Sequence, residues 1–483
     1  MTNETYAQVR ETHTGVVLLC GDRAYKAKKP VVTDFLDFGT FEAREHACRR
    51  ELELNRRLAP DVYLGLSHLT DPMGGPSEPI VVMRRMPDSA RLSAQIAAGT
   101  VTSVELPELA AELARFHHTA LRGADIDRAG RPAMLRRRWH ALLRSLAAQP
   151  PGAIDQQQLA RVRQLALRFI DGRTPLLAAR IAEGRIVDGH GDLIAEDIFA
   201  LPEGFRILDC LDFDDELRHV DCLDDAAFLA MDLEFLGVPA LAEEFLDTYL
   251  LAMADAPPAA LRHHYIAYRA MVRAKTDRIR CAEGDPDAAA HARRHLEIAD
   301  AHLSSAAIRL VLIGGLPGTG KSTVAAQLAT RTGAEVISSD TLRAVMRRSG
   351  AVVGGSGTYG EGAYHPDAKA LVYEQLLGHA RDRLEYGVSV ILDASWLDSG
   401  YREQARLLAR QTHTELIELH CGCPPQLAAT RLRNRAPGDS DATPTIADAM
   451  AAAASPWPEA TVLDTERPIA ESSESALYRW NRL

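Results

Sequence analysis

The sequence predicts two α/β domains: an N-terminal α+β unit, then a C-terminal unit built on a parallel sheet with flanking helices. Three observations predict this. The chain has 483 residues, more than the roughly 100–200 that one domain usually takes. Its texture changes at Ile308, where strand-like and helical stretches begin to alternate as in a parallel sheet with crossover helices. A glycine-rich loop joins the first strand and helix of that alternation. The boundary falls near 300–307, which gives units 1–303 and 304–483.

Composition sets the outer limits. Hydrophobic residues at 46% and charged residues at 25% exclude wholesale disorder and a fibrous chain. The formal charge of -11 argues against broad coating of a nucleic-acid backbone. Seven scattered cysteines without a C-x-x-C pair read as free thiols in a reducing compartment. The polar N-terminus has no apolar signal-peptide core, and charges interrupt every apolar run before it could span a bilayer. A cytoplasmic protein with no membrane partner is expected. Only six of the 55 basic residues are lysines: Lys26, Lys28, Lys29, Lys275, Lys321 and Lys369. Where arginine is the default, each lysine merits tracing.

In the N-terminal unit, residues 16–32 hold two apolar runs around Gly21-Asp22, a hairpin signal. Residues 40–59 are helical in pattern, with Thr40 as N-cap and Pro60 past the end. Residues 78–86 read as a buried strand. From Leu106 to about Ala307 the pattern is mostly helical, interrupted by a β-rich island at 184–213. In the C-terminal unit, 308–329 is strand, loop and helix, and the runs 334–340, 388–395 and 414–421 read as further strands. The Ala-rich stretch 447–455 reads as helix or loop.

Gly315, Leu316, Pro317, Gly318, Thr319, Gly320, Lys321 and Ser322, followed by Thr323, satisfy G-x-x-x-x-G-K-[ST] between a strand and a helix. Glycines let backbone N–H groups converge on phosphates, and the helix N-terminus adds its dipole. Lys321 is then expected at the β- and γ-phosphates of ATP, with the Ser322 hydroxyl on Mg²⁺. Asp340, read as ending the next strand, suits a base for a substrate hydroxyl, with Arg343 nearby for phosphate charge. Asp393 closes an apolar strand, in the form of a second Mg²⁺-holding acid. Arg431, Arg433 and Arg435 precede the flexible segment 436–444, which suits a lid that closes cations over ATP. Residues 308–460 resemble the P-loop kinases of the polynucleotide-kinase, gluconate-kinase and zeta-toxin group. That resemblance implies a P-loop NTPase fold, with Asp340 as catalytic base and Arg343 as a substrate-orienting residue.

The β-rich island carries His190-Gly191-Asp192-Leu193 with Asp197, then a strand ending in Asp209. Acids on adjacent short segments suit metal and phosphoryl chemistry. This segment resembles the H-G-D-x-x-x-x-N catalytic loop of aminoglycoside phosphotransferases and choline kinases, which have a protein-kinase-like fold. The resemblance spans roughly 10–300. It implies Asp192 as catalytic base and Asp197 and Asp209 as metal ligands, with Asp212 and Asp214 leaving the metal set open. It also implies Lys26 or Lys28 on the ATP phosphates, Glu51 as their ion-pair partner, and Met86 at the hinge beside the adenine. His117 is read as core, and Asp221 and Asp225 as structural acids. Asp stands at 197 where the pattern has Asn, and Ile194 where many members have His.

Together the two halves resemble bacterial fusions of an aminoglycoside-phosphotransferase-like domain with a P-loop kinase domain. The expected function is ATP- and Mg²⁺-dependent phosphorylation of a small-molecule hydroxyl, with two nucleotide sites. Two alternatives stand beside it: a regulatory N-terminal pseudokinase with only the P-loop unit catalytic, and an ATP-sensing interaction protein. With 18 basic and 20 acidic residues in 304–483, a nucleic-acid end is open but not favoured as acceptor. Oligomeric state is not legible.

Overall fold

A computed structural model describes residues 6–11, 15–32, 37–75, 77–101, 106–148, 155–352, 365–434 and 443–482. The chain forms two compact units. One comprises residues 1–159, 178–257 and 265–302; the other comprises 160–177, 258–264 and 303–483.

The first unit opens on an antiparallel sheet of order β1-β2-β3-β5-β4: β1 Ala7–Glu11, β2 Gly15–Cys20, β3 Arg23–Lys28, β4 Tyr63–Leu69 and β5 Glu78–Arg84. β2 and β3 turn at Gly21-Asp22, where Gly21 takes φ 57°. α1, Phe41–Asn55, is N-capped by Thr40, whose hydroxyl accepts from the Ala43 N–H at 3.2 Å. The helix ends four residues before the expected Ala59. Asn55 turns its side chain away, donating to the Glu51 carbonyl and accepting from the Cys210 N–H at 2.8 Å. α1, which carries Glu51, packs on β3, β4 and β5 of this sheet, as the protein-kinase-like resemblance implies.

The β-rich island resolves into β6 Ile186–Asp188, the hairpin β7 Ile198–Leu201 and β8 Gly204–Ile207, and β9 His219–Asp221. β6 pairs with β9, and the loop 189–197 leads from β6 to β7. Around it lie α2 Leu106–Thr119, α3 Cys222–Phe235 and part of α4 Ala259–Ala282.

The second unit has a five-stranded parallel sheet of order β11-β12-β10-β13-β14. Its strands are β10 Arg309–Gly314, β11 Glu335–Ser338, β12 Val390–Asp393, β13 Glu415–Gly422 and β14 Thr461–Asp464. β10 is wholly buried at the centre, so the loop that follows it sits over the middle of the sheet's C-terminal edge. The helices are α5 Lys321–Thr332, α6 Ser339–Arg348, α7 Pro366–Glu385, α8 Ser399–Gln411, α9 Pro425–Arg433, α10 Pro444–Ala452 and α11 Ile469–Trp480. Val311, Ile313, Val324, Leu328, Ile391 and Leu419 form the core beneath that edge. This is a P-loop NTPase fold. β14 was not anticipated; its four residues are too short for a period to show. Asp340 lies in the first turn of α6 and not at a strand end, because Ser338 caps the helix by accepting the Asp340 N–H. The seven cysteines are all free thiols. Among the described residues no helix is long and apolar enough to cross a membrane.

Candidate functional sites

In the second unit the loop 315–320 is shaped by glycine. A Cβ at Gly315 would stand 2.4 Å from the Cys421 carbonyl oxygen, and one at Gly318 2.5 Å from that of Ala428. Both residues also have positive φ, 134° and 82°. Lys321 Nζ lies across the loop and donates to the Leu316 carbonyl at 2.9 Å. Ser322 Oγ donates to Asp393 Oδ2 at 2.6 Å, which joins the end of the phosphate loop to the end of β12. Thr465, after β14, donates its hydroxyl to the Thr319 carbonyl at 2.7 Å, and Arg431 donates to the Thr465 carbonyl at 2.8 Å.

Gly318, Lys321, Ser322, Asp393, Arg431 and Thr465 line one cavity of about 460 Å³, a volume usual for small-molecule sites. Pro317, Gly318, Gly320, Lys321, Ser322 and Thr323 form its floor, with Asp340, Arg343, Asp393 and Arg431 around them. Asp340 and Arg343 make an ion pair at 2.5 Å, one helical turn apart on α6. Of the three arginines expected in a lid, Arg431 lines the cavity. Arg433 instead donates to the exposed Thr430 hydroxyl, and Arg435 lies outside the described residues, as do 436–442. Sequence reasoning missed Lys369, Tyr373, Thr465 and Arg467, which also line the cavity. Only Lys369 carried a signal, as a lysine in an arginine-rich chain.

In the first unit, alternation along β3 puts Lys26 and Lys28 on one face, and both reach Glu51. Lys26 Nζ is 2.8 Å from Glu51 Oε1 and 2.7 Å from Asp209 Oδ1. Lys28 Nζ is 2.8 Å from Glu51 Oε2 and 2.7 Å from Asp212 Oδ2. Glu51 is 1% exposed, and burial alone would push its carboxyl up; the two ammonium groups hold it below its usual value. The single glutamate thus orients both lysines. Asp214, the other acid left open for metal, caps a short helix by accepting the Glu216 N–H. Met86 packs against the sheet core just past β5.

The loop 189–197 is held from below by Asp225 on α3. Its carboxylate accepts the N–H groups of His190 at 2.6 Å and Gly191 at 2.9 Å, and meets His117 Nε2 at 3.1 Å. His117, wholly buried, also meets the Tyr249 hydroxyl at 2.7 Å, so it is a core residue that supports the loop. Asp221 does a different job. It N-caps α3 and pairs with Arg180 at 2.7 Å. Arg269 on α4 pairs with Asp224 at 2.7 Å and donates to the Gly191 carbonyl at 3.1 Å. It holds the loop from a second side and had no sequence signal.

Burial raises the Asp192 carboxyl to about 6, with the nearby Arg273 opposing and Asp209 adding to the rise. Asp197 is raised well above its ordinary value, first by burial and then by the charges of Asp209 and Asp192. Asp209 sits at φ 60°, an uncommon conformation for a residue with a Cβ, and its N–H donates to the Tyr63 hydroxyl at 3.3 Å. Three carboxyls therefore crowd one another electrostatically. Among the described residues, no group of three or more His, Cys, Asp or Glu side chains is arranged to enclose a metal ion. Asp197 and Asp209 offer carboxylate oxygens, the donor type that Mg²⁺ takes alongside phosphate oxygens and water.

The AAA domain family matches residues 310–456. The chain is 48% identical over 480 residues to the protein Rv2004c of Mycobacterium tuberculosis, covering 99% of this chain and 96% of the relative. The figures for Mb2027c of Mycobacterium bovis are the same. Among solved structures, the GDP and kanamycin complex of an APH(2") enzyme aligns with 62% of this chain and 95% of its own, at 15% identity and TM-score 0.41. An unliganded sugar kinase from Janibacter sp. HTCC2649 aligns with 36% of this chain and 94% of its own, at 23% identity and TM-score 0.28.

Proposed function

We propose that this chain, which belongs to the family of the mycobacterial proteins Rv2004c and Mb2027c, is a phosphotransferase. In this reading it uses ATP and Mg²⁺ to phosphorylate a hydroxyl of a small molecule in the cytoplasm, with a nucleotide site in each unit. One observation carries it. The phosphate loop, the Ser322–Asp393 pair and the Asp340–Arg343 pair all face one cavity, so a nucleotide's phosphates and a second substrate have room to meet there.

In the second unit, the acceptor oxygen forms its bond to the γ-phosphorus while the bond from that phosphorus to the β,γ-bridging oxygen breaks. ADP leaves, and the acceptor's proton passes to Asp340. Arg343, paired with Asp340 one turn along the same helix, holds that carboxylate in place to receive it. Lys321 and Arg431 lie where negative charge gathers on the phosphates. Mg²⁺, when bound, neutralises phosphate charge; Ser322 and Asp393 would hold it in this unit, and Asp197 and Asp209 in the first. In the first unit Asp192 takes the base role, and Lys26, oriented by Glu51, meets the phosphates.

The test is transfer of label from γ-labelled ATP to a small-metabolite pool by the full-length protein. Wild type is compared with Lys321→Ala and Asp192→Ala. Loss of different labelled products in the two variants supports two active sites. Products that vanish with Lys321→Ala and survive Asp192→Ala intact leave the first unit regulatory. No enzyme-dependent label in any product defeats the phosphotransferase reading.

A further inference from the structure

The charges around the second unit's cavity do not balance. Five cations, Lys321, Arg343, Lys369, Arg431 and Arg467, face two carboxylates, Asp340 and Asp393. Most of the excess has an assignment. Lys321 and Arg431 flank the phosphate loop and answer to a nucleotide's phosphates. Arg343 is paired with Asp340, and Arg467 with Asp464 and Glu471. Lys369 is left over. Among the described residues its ammonium makes no hydrogen bond or ion pair, and its close contact is the Tyr401 ring, 5.1 Å away.

Position makes this lysine harder to explain as a surface charge. It sits in the first turn of α7, where the helix dipole disfavours a cation. Its stem is half-buried, and burial with the charge of Arg343 holds the ammonium below its usual value. Among the described residues Asp398 is the one carboxylate whose field opposes this, and it is occupied in capping α8 through the Gly400 N–H at 2.7 Å. The platform beneath Lys369 is built. Tyr401 stacks on Tyr373 at 4.0 Å with 14° between the rings. The Tyr373 hydroxyl in turn accepts the Trp396 N–H at 3.3 Å. A cation–π contact steadies an ammonium without neutralising it, which leaves the charge available to a ligand.

The sheet order divides the cavity. The residues after β13 and β14, among them Arg431, Thr465 and Arg467, approach the phosphate loop from one side. Those after β11 and β12, with Lys369 and Tyr373 from α7, approach from the other. Asp340 stands on the Lys369 side. The geometry points to an acceptor that is an anionic hydroxyl compound, its carboxylate or phosphate seated on Lys369 and its hydroxyl toward Asp340. This rests on the phosphotransferase reading above and narrows it. A neutral acceptor would cover a half-buried ammonium and give it no counter-charge, which is costly.

The test uses the full-length protein. A small-metabolite pool is split on an anion exchanger into a retained, anionic fraction and a neutral or cationic flow-through. Each is incubated with γ-labelled ATP and Mg²⁺, and products lost with Lys321→Ala are assigned to this cavity. The expected result is Lys321-dependent label in the anionic fraction. Lys369→Met should then raise the acceptor KM about 10- to 100-fold, the worth of one hydrogen bond to a charged group. The KM for ATP should move less than twofold, and Lys369→Arg should restore part of the acceptor affinity. Treating the anionic fraction with phosphatase, inactivated before assay, separates the two sources. Label lost assigns a phosphate ester, and label retained a carboxylate. Lys321-dependent label confined to the flow-through overturns the inference and leaves the phosphotransferase reading standing. So does label in the anionic fraction that Lys369→Met leaves unchanged. Absence of Lys321-dependent label from both fractions overturns the two together.

Discussion

Asp225 holds the loop that carries Asp192, and Asp225→Asn measures how much. The carboxylate takes three hydrogen bonds: His190 N–H and His117 Nε2 on Oδ2, and Gly191 N–H on Oδ1. Asparagine has one oxygen. Its amide nitrogen must then face a backbone N–H, donor against donor, at one of the two positions. A buried N–H left without an acceptor costs about 1–3 kcal/mol, and two bonds downgraded from charged to neutral acceptors cost about 1 kcal/mol each. The loop should therefore open about 3–5 kcal/mol more easily, since breaking a buried charged contact costs that much. Every 1.4 kcal/mol is about tenfold in the opening equilibrium, so the amides of His190 and Gly191 should exchange at least about 100-fold faster. Hydrogen-exchange mass spectrometry of a peptide covering 186–197 reads this directly. Burial opposes the Asp225 charge, yet the His117 hydrogen bond and the charges of His117 and His190 hold its carboxyl far below the usual range. With a folded pKa below the unfolded one, the contribution is complete above about pH 4 and is lost as pH falls through the folded value. Through this carboxyl's own titration, the gap between wild type and variant should narrow as pH falls below about 4. Amides within threefold of wild type at neutral pH would refute the role given to Asp225.

Three further outcomes follow from the two sites. Asp192-dependent transfer should rise with pH through about 6 and level off above it, because only the ionised carboxyl accepts the acceptor's proton; an initial-rate profile for products lost with Asp192→Ala checks this. Gly318→Ala should cut nucleotide affinity with little change in the rest of the unit, since a Cβ there meets the Ala428 carbonyl at 2.5 Å and a positive φ costs about 1–3 kcal/mol. Titration calorimetry with an ATP analogue reads it. Glu51→Gln should loosen the first unit's sheet by about 3–5 kcal/mol, because it removes the shared counter-charge of two lysines. Exchange protection along Arg23–Lys28 is the measure. Glu51 is held below its ordinary carboxyl value, so this loss should be full near neutral pH and fade as pH drops below about 4.5.

What the sequence made legible was the chemistry that runs consecutively along the chain. The phosphate loop and the His190-Gly191-Asp192 segment are such runs, in which backbone and side chains act together over a few residues, so order along the chain stands for proximity. The fold class followed from a change of rhythm at Ile308 for the same reason. Contacts between distant elements left weaker traces. Ser322 and Asp393 are 71 residues apart, and only the strand-ending acid hinted at their meeting. Thr465, Arg269 and Tyr373 belong to ordinary helical or loop composition, and nothing local marks a residue whose role is to touch a loop formed elsewhere.

The lysines fall between these cases. An arginine-rich chain keeps lysine where a compact point charge on a flexible stem does what a planar fork cannot. Lys26, Lys28 and Lys321 answered to that reasoning through their motifs. Lys369 belongs to no motif, yet it lines the same cavity as Lys321. Arginine at 369 would present a wide guanidinium to the Tyr401 ring and stack there, spending on the ring the face that an anion needs. An ammonium rests on the same ring through one side of its charge and keeps other N–H donors free to turn toward a ligand. The residue type is thus itself an argument that position 369 binds something small and negative. Partial recovery by Lys369→Arg, short of wild type, is what that difference in geometry requires.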